Sequence, residues 1–138
     1  MTSAELRTER RERHNKLIEE SGVFFAFSEK QLEEGKLKYP LREGEKYVGI
    51  GMGGFIRQTQ LAGFIEGLQT IEKWGKEEAK KIRASKVESE KAILYELQNY
   101  ESFYTGSIAE AFEALSSEGY TRKEVSRVYR KYYQRFAE

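Results

Sequence analysis

Residues 46–71, KYVGIGMGGFIRQTQLAGFIEGLQTI, form the most apolar run of the chain and carry six of its twelve glycines, at 49, 51, 53, 54, 63 and 67. The run opens as a strand over 46–50. Met52-Gly53-Gly54 is a glycine turn, and Phe55-Ile56 predicts a short further strand. Thr59 then stands where a helix N-cap belongs. Leu61, Phe64, Ile65, Leu68 and Ile71, with Trp74 beyond, recur at three- and four-residue spacing, the strongest helical signal in the chain. The expectation is a helix over 59–74 whose apolar face lies on a small sheet and makes the core.

Working upstream, residues 23–27, VFFAF, are aromatic and β-branched and predict a strand antiparallel to 46–50. Val23, Phe25 and Phe27 would share one face and Phe24 the other. Ser28 and Gln31 have capping-box spacing for a short helix, with Gly35 as its stop, and 39–44 reads as a turn-rich connection. Residues 2–20 predict a helix with Thr2 and Glu5 as a capping box and Ser21-Gly22 as a stop. Its few apolar positions, Leu6, Leu17 and Ile18, suit a peripheral arm docked by its last turn.

Downstream, 75–91 is polar, GKEEAKKIRASKVESEK, and extends the helix until a bend or break near Ala84-Ser85. A second helix runs from about 88 to 102. Ser107 with Glu110 and Thr121 with Glu124 are capping boxes for two more helices, with Gly119 ending the first. The fold class is therefore α+β. A two- or three-stranded antiparallel sheet within 23–57 is covered by the 59–74 helix, and the C-terminal half is helical. One domain is expected over 1–138, with 1–21 as a peripheral helix, 22–74 as sheet and helix core, and 75–138 as the helical part.

Composition narrows the chemistry. The chain has no cysteine, one histidine (His14) and no aspartate, all 23 acidic residues being glutamate. Disulfide frameworks, thiolate or multi-histidine metal sites and Asp-dependent triads or phosphoryl-transfer sites are thereby removed within one chain. No catalytic constellation, metal site or cofactor is implied, and a non-enzymatic protein is expected. With 34% charged residues, no apolar run long enough to span a bilayer and a charged start, the default is a cytoplasmic protein with no membrane association. Charge is unevenly spread. Residues 93–119 hold five Glu and no Lys or Arg (−5), whereas 120–138 hold six Lys or Arg and two Glu (+4). The two segments read either as solvated helix faces that attract one another or as surfaces for partners.

Two motifs could bind. Gly49, Gly51 and Gly54 match G-x-G-x-x-G, and with Gly53 and Arg57 they form a candidate phosphate or nucleotide loop. The parallel strand and terminal acid of a dinucleotide-binding unit do not follow, so a glycine-permitted tight turn competes with that reading. The last helix carries Arg122, Lys123, Arg127, Arg130 and Lys131 beside Tyr129, Tyr132 and Tyr133, a basic and aromatic pattern suited to a partner surface or to a phosphate backbone with stacked bases.

Gly22-Val23-Phe24-Phe25-Ala26-Phe27-Ser28, then Gln31 and Glu34-Gly35-Lys36, then residues 47–56, YVGIGMGGFI, resemble a family of small uncharacterised proteins carried by bacteriophages and prophages of gut bacteria. The similarity extends through Asn99-Tyr100-Glu101 and Gly119-Tyr120-Thr121 and so covers most of the chain. The resemblance implies a bacterial-host cytoplasm and a protein that binds and sterically inhibits a host defence complex, in the manner of anti-CRISPR proteins, with a CRISPR effector nuclease among the candidate targets. The alternatives are a nucleic-acid binder using the basic last helix and a nucleotide or second-messenger binder at the glycine loop.

Overall fold

The hairpin of the quoted run forms as its glycines require. A computed structural model describes residues 1–136. In chain order it contains α1 (Ser3–Ser21), β1 (Phe24–Phe25), α2 (Glu29–Lys38), β2 (Tyr47–Gly51), β3 (Gly54–Arg57), α3 (Gln58–Ala84), α4 (Lys86–Asn99), α5 (Ser102–Thr105), α6 (Ala109–Ser116) and α7 (Arg122–Phe136). This is the expected α+β class. Residues 9–73 make one compact unit, and residues 1–8 with those from 74 onward make another. Among the described residues no helix is long and apolar enough to cross a membrane.

In the sheet unit, β2 and β3 are joined by Met52 (φ 52°) and Gly53 (φ 78°). Two successive left-handed residues suit a tight hairpin, the turn whose twist matches paired strands. The sheet order is β1-β3-β2, antiparallel throughout, with a register shift between Gly49 and Gly51. The expected antiparallel relation of 23–27 to 46–50 is therefore corrected: β3 lies between them and is antiparallel to each, so β1 and β2 run parallel. A two-residue turn closes the β2–β3 pair first in sequence terms, leaving β1 the opposite edge of β3.

The first strand is also shorter than expected. Phe27 N–H donates to Gln31 Oε1 (2.7 Å) and Gln31 N–H to Ser28 Oγ (3.2 Å), so the cap of α2 takes the chain out of the sheet. Phe25 and Phe27 are left 48% and 76% exposed, not buried with Val23. Val23, Ile56 and Phe64 form the core of this unit, with Leu17, Ile18, Val48, Ile50, Leu61 and Leu68 packed around them. Phe24 instead joins Phe55, Tyr39 and Tyr47, at ring-centroid separations of 5.7, 6.3 and 5.4 Å.

Two local expectations give way here. Gly35 is not the stop of α2 but a buried residue within it. A β-carbon there would stand 2.1 Å from Phe24 Cδ2, so glycine permits the ring to approach the helix. The helix ends instead just before Tyr39-Pro40, as a following proline favours. Thr59 is not an N-cap: α3 starts at Gln58, whose N–H bonds Lys46 O (2.8 Å), and the Thr59 hydroxyl donates to Glu45.

The helical unit is better punctuated. Ser85 ends the long α3 and caps α4 by accepting Glu88 N–H (3.3 Å). Helix α4 stops at Asn99, earlier than 102, because Glu101 adopts φ 54° and redirects the chain into α5. At α6 the expected Ser107–Glu110 box is replaced. Ile108 is the N-cap, and Ser107 Oγ accepts Ala109 N–H (3.3 Å). Gly119 (φ 93°) ends α6 with paired bonds, Gly119 N–H to Ser116 O and Tyr120 N–H to Leu115 O. Ser21-Gly22 ends α1 by the same pattern. Ala92, Ile93 and Leu97 of α4, Phe103 of α5, Ala111 and Leu115 of α6, Tyr120, and Val125 and Val128 of α7 make one core. Leu6 is buried with Ala79 and Ile82, so α1 is anchored near its start as well as by its last turn.

A candidate anion-binding face on the last helix

Helix α7 begins on the predicted Thr121–Glu124 box. Glu124 N–H donates to Thr121 Oγ1 (3.2 Å) and Thr121 N–H to Glu124 Oε1 (3.2 Å). The acid also pairs with Arg83 of α3 at 3.1 Å. Val125 and Val128 turn inward, and at 100° per residue Lys123, Arg127 and Arg130 fall on the opposite side.

The eight residues of the basic-aromatic reading separate into two groups. Tyr129 and Tyr132 are half-buried packing residues. The Tyr129 ring stacks on Phe103 (5.2 Å, 11°), and the Tyr132 hydroxyl donates to Glu90 Oε1 (2.6 Å). Lys131 Nζ donates to the same oxygen at 2.8 Å. The hydrogen bonds from Lys131 and then Tyr132 hold the Glu90 carboxyl below the usual carboxylate range, and both donors are shifted upward by their bond to it. Lys131 is thus partly neutralised within the fold. Arg122, Lys123, Arg127, Arg130 and Tyr133 stay exposed. None of those four cations makes an ion pair among the described residues, and no ion pair links the acids of 93–119 to α7.

One side of α7 borders a cleft of about 430 Å³. Arg122, Ser126, Tyr129 and Arg130 form its helical wall, and Gly106, Ser107 and Ile108 the facing one. Among the described residues no carboxylate lines it. Ser126 and the 106–108 wall are absent from the sequence reading, which treated Ser107 as a cap. The i, i+4, i+8 spacing of Arg122, Ser126 and Arg130 was the available signal. A second cleft, of about 380 Å³, is lined by Gln98, Glu101, Phe103, Tyr104 and Phe136. Tyr104 there is 90% exposed.

The glycine-loop candidates lie in the sheet unit. Gly49 and Gly51 are in β2, Gly53 is in the turn, and Gly54 and Arg57 are in β3. The loop therefore joins two strands as a hairpin, and α3 starts only after β3. Phe27 packs over Gly53, where a β-carbon would meet the ring at 2.5 Å. Arg57 Nε is buried without a partner among the described residues.

The model of one protein family matches residues 6–135. The chain belongs to the family of unknown function DUF7659. No curated protein matches the DUF7659 chain, and no solved structure does. Within this DUF7659 chain the α7 cleft combines two guanidinium groups that make no ion pair among the described residues with hydroxyls, the donor set that takes up phosphate oxygens.

Proposed function

We propose that the protein is a non-catalytic binding protein that holds a nucleic-acid strand through the basic face of α7. The observation that carries this reading is the set Arg122, Lys123, Arg127 and Arg130, four exposed cations of one helix that make no ion pair among the described residues. The chain as a whole carries a net charge of only +1, so the positive field is local to this face. Tyr133, 47% exposed, is the ring on α7 most open to a stacking base. In the phage or prophage setting suggested by the resemblance, the compartment is the cytoplasm of a bacterial host.

A second reading, steric inhibition of a host defence complex such as a CRISPR effector nuclease, is favoured by the other cleft. There Tyr104 and Phe136 would anchor a protein partner, in place of the packed Tyr129 and Tyr132. Fluorescence anisotropy with a labelled oligothymidylate at several salt concentrations separates the two. Two to four phosphate contacts predict a slope of log K against log salt between about −1.4 and about −3 for a single strand. A host protein captured from lysate after nuclease digestion and lost on Tyr104→Ala, together with no oligonucleotide binding, would transfer the assignment to the second reading.

A further inference from the structure

Resting on the nucleic-acid reading, we infer that the strand runs inside the cleft between α7 and residues 106–108, held by its phosphodiester groups, rather than across the outer ridge of Lys123 and Arg127. Arg122 and Arg130 stand eight residues apart along α7, and both line the cleft. At 1.5 Å per residue they bracket about 12 Å of the wall, with Ser126 midway. A trough with a guanidinium toward each end suits a ligand that repeats its negative charge along its length, and a single strand provides that repeat.

The chemistry of the walls agrees. Among the described residues that line the cleft, none is acidic. Ser107 Oγ accepts Ala109 N–H, which leaves its own hydroxyl proton free to donate, and the Ser126 hydroxyl makes no hydrogen bond among the described residues. Arg122 Cζ lies 5.7 Å from the centroid of the Phe112 ring, a contact over the ring face that leaves the guanidinium edge open for oxygen. The Tyr129 ring is covered by Phe103 and flanked by Tyr133 (5.6 Å), so within the cleft there is no free aromatic face for a base. The grip is therefore on the backbone and indifferent to sequence.

The test blocks the cleft without removing charge. In the full-length protein, Ser126→Trp and, from the facing wall, the exposed Ser107→Trp fill the trough while every cation remains. Anisotropy with a labelled oligothymidylate is compared with Lys123→Gln/Arg127→Gln on the ridge and Arg122→Gln/Arg130→Gln in the cleft, with circular dichroism confirming the fold of each. The inference expects each tryptophan to weaken binding at least tenfold, and the cleft glutamines to flatten the salt slope by about 1.4. Wild-type affinity in both tryptophan variants, with binding lost on the ridge, overturns the cleft path and leaves nucleic-acid binding intact. No binding by the wild-type protein overturns both. Equal competition by inorganic phosphate and by unlabelled strand overturns the strand in favour of a single-anion seat.

Discussion

Replacing Gly35 by alanine should destabilise the protein, although glycine-to-alanine within a helix ordinarily does the opposite. Gly35 lies inside α2, where alanine would gain about 1 kcal/mol of helix propensity. The new β-carbon would, however, sit 2.1, 2.4 and 2.6 Å from three atoms of the Phe24 ring. Carbon contacts are comfortable near 3.5 Å, so the ring must retreat by about 1.4 Å. It has little room to do so. Phe24 is 7% exposed and meets Tyr39, Tyr47 and Phe55. Overpacking of this kind costs about 1–3 kcal/mol, and a rigid ring contacted by three neighbours lies toward the upper end. The expected net loss is about 1–2 kcal/mol. Gly63 supplies the internal reference: it is helical and exposed, and a β-carbon there meets nothing within 4 Å, so Gly63→Ala should gain about 1 kcal/mol. Urea denaturation followed by far-ultraviolet circular dichroism, with equal m values, reads both. A Gly35→Ala variant as stable as Gly63→Ala would refute the claim that Phe24 occupies the space of a side chain at position 35.

Glu90→Gln should release Lys131 and Tyr132 and bring the tyrosine back toward its ordinary titration, read by ultraviolet difference spectra. Because Glu90 is shifted down in the fold, its contribution is present above the unfolded value of about 4.3 and is lost as pH falls through the lower folded value, which a stability–pH series of wild type against variant detects. Burial, and then the Glu118 carboxylate, push Tyr120 up from 10 to about 12, and its hydroxyl has no partner among the described residues. The fold holds that proton longer than the unfolded chain, so stability should fall as pH rises from about 10 toward about 12. Tyr120→Phe should remove this dependence and be neutral or stabilising by up to about 1 kcal/mol at pH 7. Met52, 92% exposed at φ 52°, carries the left-handed cost of a side chain without packing to offset it, so Met52→Asn should add about 1 kcal/mol of stability, read as a higher urea midpoint at unchanged m.

The elements that could be read from the residues are those whose physics closes within a few positions. The glycine hairpin, the Thr121–Glu124 and Ser28–Gln31 boxes, the ends at Gly22 and Gly119 and the break at Ser85 each join groups no more than five residues apart. The identities of those residues therefore determined the helices, the hairpin and the α+β class, and likewise the concentration of cations on α7. What the tertiary structure decided depends on partners distant in the chain. β3 took the centre of the sheet because β1 arrives from beyond an intervening helix, and Gly35 proved to be a contact for Phe24 eleven residues away rather than a stop. Lys131 and Tyr132 are committed to Glu90, 41 and 42 residues distant, which no periodicity within α7 reveals. The cleft likewise exists only because the Gly106–Ile108 wall faces α7. Short-range hydrogen bonds and helical period are encoded by neighbours, whereas which cation stays free and which glycine carries weight depends on what packing brings beside it.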